Sequence, residues 1–247
     1  MKLPKEIFGL AFLICFLTRL CSAADRIPDD FETQSRWNLK QIALAFHNYH
    51  ERHGHLPEAA SRDRDGNPLL SWRVQLLPFL GDEAKQLHGE FNLDEPWDSL
   101  HNRRLVGRMP DVYSSPMKAP LPPGQTCYMV VRGGNTLFPF YVKDRNDIRT
   151  RSFADIYQGL PNIILVVEAD LDVAVPWSKP IDLHLNRKDP FKDLGHLRDG
   201  GFLCCWGSGE ISRVPNSLQR DRKDRNKFLT GLFEINGRGL AYYLELD

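Results

Sequence analysis

Four histidines fall within nine positions of FHNYHERHGHLP, residues 46–57: His47, His50, His53 and His55. Imidazole and carboxylate side chains are ordinary ligands of zinc. At about 100° per residue on a helix, His47, His50 and Glu51 fall within roughly 100° of one another, close enough to share a cation. These three are the metal-ligating candidates. His53 lies on another side of the helix, and His55 follows a helix stop at Gly54. The stretch HERHGH is not HExxH, because His50 and His53 stand three apart with Glu51 between them, so the zinc-peptidase geometry is missing. A metal-dependent enzyme would need a third protein ligand, and His88, His101, His184 and His196 are the histidines left to supply it. The simpler reading is a helix flank and C-terminal cap, where positive charge suits the helix end.

Other chemical groupings are weaker. Glu168, Asp170 and Asp172 alternate at the end of an apolar run. On a continuing strand they would share one face, a donor set for calcium; in a turn they would only be solvated. Ser208 in Gly207-Ser208-Gly209 lacks the G-x-S-x-G elbow, since Trp206 and Glu210 hold the outer positions. Gly133-Gly134 has no P-loop lysine after it. No catalytic residue and no cofactor is therefore nominated. Trp97 in DEPWDS and Trp177 in VPWSKP each sit beside proline in polar segments. They either plug the core from loops or form a stacking surface for a solute or glycan.

The chain opens MKLPKEIFGLAFLICFLTRLCSAADR. Basic Lys2 and Lys5, an apolar run from Ile7 to Leu17 and small residues Ser22 to Ala24 have the three-part layout of a secretory signal peptide over residues 1–24. The run is too short to cross a bilayer, so membrane contact is expected only through an uncleaved leader. Export to the periplasm, cell surface or extracellular space follows. Without residues 1–24, which hold Lys2, Lys5, Arg19 and Glu6, the 32 basic and 32 acidic residues become 29 and 31. That balance leaves no electrostatic footprint for nucleic acid. Three cysteines remain, Cys127, Cys204 and Cys205. Adjacent strand positions face opposite ways, so at most one of the last two can meet Cys127, and buried thiols are the expected outcome.

The elements that must position these residues are legible in outline. Leu39, Ile42, Phe46 and Tyr49 form one apolar stripe on a helix from Phe31 to His53, stopped by Gly54 and Pro57. SWRVQLLPFL, 71–80, reads as a short amphipathic helix, and a second is expected near residues 98–106. Strands follow at 127–131, 138–142 and 162–167, the last (NIILVV) a central one. Residues 202–206 and 210–214 flank Gly207-Ser208-Gly209 as a hairpin. QRDRKDRNK, 219–227, is a solvated charge run, and GLAYYLELD is a possible edge strand. The fold class is α+β, a long amphipathic N-terminal helix packed on an antiparallel sheet with short extra helices, in one domain over residues 25–247.

NLKQIALAFHNYHERHGHLPEA (38–59) closely resembles the opening of the bacterial family catalogued as domain of unknown function 1559. The likeness continues through LSWRVQLLPFL, FNLDEPWDSLHNRRLVGRMPDVYSSP, NIILVVEADLDVAVPWSKPIDL and GHLRDGGFLCCWGSGEISRVP. It implies a pilin-like fold and no particular reaction. Two departures stand out. A short leader replaces the family's long prepilin helix, which favours a freed ectodomain over pilus-like assembly. The family's His-x9-Asp-Gly signature, counted from His196, ends here in Trp206-Gly207. The resulting expectation is a non-enzymatic structural or protein-interaction module of the envelope or cell surface, with envelope or surface proteins as partners. A periplasmic solute- or glycan-binding protein is the alternative.

Overall fold

The computed structural model describes residues 31–117, 120–140, 150–219 and 225–237. The leader and the GLAYYLELD strand lie outside the described residues, as does most of the charge run. Helix α1 (Phe31–His53) forms as its stripe requires: Leu39, Ile42 and Phe46 are fully buried and Tyr49 half-buried. Burial of each large side chain stabilises by about 1.5–3 kcal/mol. The helix ends where Gly54, at φ 77°, donates its N–H to the His50 carbonyl at 2.8 Å, a left-handed stop that a side chain would strain.

Strands β1 (Ala60–Arg62) and β2 (Pro68–Ser71) pair as a hairpin across a turn held by the Asp63 carboxylate, which accepts the Asp65 and Asn67 N–H groups. Helix α2 (Trp72–Gln75) is capped by the Ser71 hydroxyl. Pro78 cannot donate within a continuing α-helix, so the expected single helix divides into α2 and a 3-10 turn, Leu77–Phe79. Helix α3 (Asp82–Glu90) was not foreseen from the sequence. The helix expected near residue 98 is a 3-10 segment, Asn102–Arg108.

Short strands β3 (Gln125–Thr126), β4 (Tyr128–Met129) and β5 (Val131–Arg132) stand where one strand was expected. Then follow β6 (Ile164–Glu168), β7 (Val175–Pro176), β8 (Leu183–His184), β9 (Gly201–Trp206), β10 (Ile211–Pro215) and helix α4 (Arg225–Gly231). The main sheet has the order β10-β9-β6-β4 and is antiparallel throughout. β6 is an inner strand, and β9–β10 is the hairpin the glycines announced, with Gly209 at φ 81°. β3 pairs antiparallel with β7, while β5 and β8 run parallel. Of residues 138–142, the described part contributes only a single bridge, Phe138 to Arg132.

The sheet is covered on both faces. α1 packs with Leu165, Val166, Leu203 and Cys205, while Phe228, Leu232 and Phe233 pack with Val167, Phe202 and Cys204 on the other side. The register of β6 against β9 slips between Ile164 and Val166, the mark of a bulge. Leu165 and Val166 consequently both join the α1 side. Cys205 faces α1, whereas Cys204 and Cys127 belong to the opposite core; all three thiols are free. Burial pushes the Cys127 and Cys204 thiols up to about 12.

Candidate functional site

The histidines converge on an aromatic ring. His47 and His50, one helical turn apart, lie 4.7 and 4.5 Å from the Phe153 ring, centroid to centroid. His50 Nε2 accepts the Phe153 N–H at 3.3 Å and stands 2.9 Å from Ser152 Oγ, so its ring proton belongs on Nδ1. Ser152 opens a 3-10 turn, Phe153–Asp155, with a reciprocal capping box to Asp155. His53 and His55 pack around Tyr49 instead. Glu51 is exposed and takes no part. Among the described residues, no three His, Cys, Asp or Glu side chains are grouped to hold a metal ion. The imidazoles of His47 and His50 both pack against the Phe153 ring. Burial holds His50 below the ordinary imidazole value, with His47 and His55 adding to the effect, and the same causes lower His53 with His55 and Arg52 beside it. Desolvation outweighs the helix-end charge that the sequence suggested would favour the cation.

Trp97 and Trp177 do not make a joint aromatic surface. Trp177 is fully buried, stacked on Tyr113 at 5.8 Å and donating its indole N–H to the Val106 carbonyl at 3.0 Å. Trp97 is half-buried under the Lys179 ammonium, 5.2 Å from its ring centroid. Proline-flanked loops deliver both rings to the core side.

The carboxylates read as calcium donors are used differently. β6 ends at Glu168 and a 3-10 turn begins at Leu171, so the alternation that would align Glu168, Asp170 and Asp172 stops. Glu168 is buried. Its Oε1 accepts from Ser35 Oγ at 2.5 Å, from Ser115 Oγ and from Arg198 Nη2 at 2.8 Å. Arg198 Nε also donates to Oε2, completing a two-pronged ion pair. Ser35 meets the Tyr128 hydroxyl at 2.7 Å, which Asn38 of α1 also reaches. Asp170 accepts the backbone N–H groups of His196 and Leu197 on Oδ1, and its Oδ2 stands 2.7 Å from His196 Nδ1. That bond raises the His196 imidazole above its ordinary value, while the ring stays solvent-exposed. Two strand-end carboxylates therefore fasten the loop that leads into β9.

A second buried ion pair joins Arg73 of α2 to Asp182, just before β8, at 2.9 Å. Burial pushes the Asp182 carboxyl up while Arg73 pulls it down. The sequence offered only a faint signal for it, a charge set in each of two apolar runs, SWRVQLL and PIDLHL.

With this geometry in place, comparison with known families is decisive. The family described as a protein of unknown function, DUF1559, matches residues 32–233. This chain belongs to that family. No curated protein and no solved structure matches it. Within this DUF1559 chain, the matched region includes both Asp170 and the His196 that it fastens. Trp206 is buried in the α4-side core and donates its indole N–H to Ser212 Oγ at 2.6 Å.

Proposed function

We propose that this chain is an exported envelope or cell-surface protein, related to pilin-like proteins, that works as a non-enzymatic structural or protein-interaction module. The observation that carries the reading is the outer face of α1. Trp37 and Leu44, seven residues apart and so two turns along one side, are 57% and 60% exposed while the opposite stripe is buried. Exposed large apolar side chains aligned on a helix are the usual anchors of helix-mediated protein contacts. The leader-like residues 1–24 support export. The polar clusters also fit a scaffold, since the carboxylates of Glu168, Asp170 and Asp182 are bonded to Arg198, His196 and Arg73. Burial of Trp177 supports this reading over a glycan-binding one that would stack a sugar on that ring.

The test is photo-crosslinking in intact cells with the reactive group at position 37 of the full chain. A discrete adduct with an envelope protein, lost when Leu44→Asp is added, is the expected result. A chain recovered only as a free cytoplasmic monomer would overturn the reading.

A further inference from the structure

An open cleft of about 790 Å³ lies between β8 and the loop of residues 186–193, within the size range of small-molecule sites. Ile181, Leu183 and Leu185 give it an apolar wall, and exposed Lys188 and Lys192 stand beside them. The charges that line it do not cancel. Arg187 is paired with Glu234, and Asp182 with Arg73. Lys188 and Lys192 remain against Asp193 alone, and among the described residues neither lysine has a carboxylate partner within ion-pair distance. One positive charge is in excess over an apolar surface.

The loop bearing the lysines is held in place before any ligand arrives. Asn186 Oδ1 accepts the Lys188 N–H at 3.0 Å, and the Asp189 carbonyl accepts that of Lys192 at 3.1 Å. Phe191 is buried beneath, edge-on to Phe202 at 4.9 Å. Asp193 adopts φ 68°, the left-handed region, and its carbonyl accepts the Asp170 N–H at 2.9 Å. A non-glycine residue held there costs conformational energy and is over-represented at binding sites. A wall fixed in advance spares a ligand the entropy of ordering it.

We infer that this cleft binds a small monoanionic amphiphile, a carboxylate on an aliphatic or aromatic body. The carboxylate sits against Lys188 and Lys192, and the body covers Ile181, Leu183 and Leu185. This inference is independent of the α1 docking face. Calorimetric titration of the full chain with octanoate tests it, with octanol, acetate and inorganic phosphate in parallel. Saturable one-to-one binding of octanoate is expected, with each of the other three weaker by about tenfold or more. The double variant Lys188→Gln, Lys192→Gln and the separate variant Ile181→Asp each weaken octanoate by about tenfold while leaving the melting temperature of the free chain unchanged, since all three side chains are exposed. No saturation, equal affinity in both variants, or phosphate or acetate binding as tightly as octanoate would overturn it.

Discussion

Arg73 Nη2 stands 2.9 Å from Asp182 Oδ1, and neither side chain reaches solvent. The same guanidinium donates twice to the Tyr128 carbonyl and once to Ser71 Oγ. Asp182 Oδ1 also accepts the Trp72 indole N–H at 3.0 Å and the Val130 N–H at 3.1 Å. One pair thus ties α2, the β4–β5 stretch and the approach to β8. Removing one partner strands a buried charge, so Asp182→Ala is expected to cost about 3–5 kcal/mol in urea unfolding. The joint replacement Arg73→Met, Asp182→Leu should cost clearly less than its two single changes together. Additive losses would contradict the coupling.

Arg198 does for Glu168 what Arg73 does for Asp182. Arg198→Met leaves the Glu168 carboxylate buried with only the Ser35 and Ser115 hydroxyls to solvate it. A loss of about 3–5 kcal/mol is expected, and adding Glu168→Gln should recover part of it. If the double variant is no more stable than Arg198→Met, the carboxylate is not the source of the loss.

Acid should loosen the junction of α1 with the Ser152 turn. The folded His50 value lies below the ordinary 6.5, chiefly through burial. A depressed histidine contributes stability above its unfolded value and loses it as pH falls through the folded value. Protonated Nε2 can no longer accept the Phe153 N–H. Hydrogen exchange at the Phe153 amide, corrected for intrinsic rate, is expected to accelerate as pH drops below 6.5, and His50→Gln should flatten that dependence. Equal protection on both sides of that pH would refute the assignment.

His196 runs the opposite way. Its folded value is raised by Asp170, so its contribution is complete below the ordinary 6.5 and disappears as pH rises through the folded value. An NMR titration of the His196 ring should show the elevated midpoint, and Asp170→Asn should bring it back toward the ordinary one. A wild-type midpoint at the ordinary value would rule out the Asp170 bond in solution.

The parts of the fold that sequence revealed were those with a strong local period. Leu39, Ile42 and Phe46 repeat at helical spacing, and residues 162–167 are apolar enough to mark an inner strand. Helix α3 escaped because only Ala84 and Leu87 of its nine residues are buried, too few to give a stripe. The candidate sites were harder for another reason: their partners are distant in the chain. Arg73 and Asp182 are 109 residues apart, and Ser35 and Glu168 are 133 apart. No local pattern encodes such meetings. The calcium reading failed on a local detail, the end of β6 at Glu168, which turned Asp170 toward the loop that follows.

The bulge in β6 decides where a charge can live. Because Leu165 and Val166 both face α1, every later residue of the strand is shifted by one step, and Glu168 arrives on the side where Ser35 and Tyr128 are waiting. Strict alternation through the same residues, without the bulge, would place Val166 and that carboxylate on the other face, in the oily layer of Phe228 and Leu232.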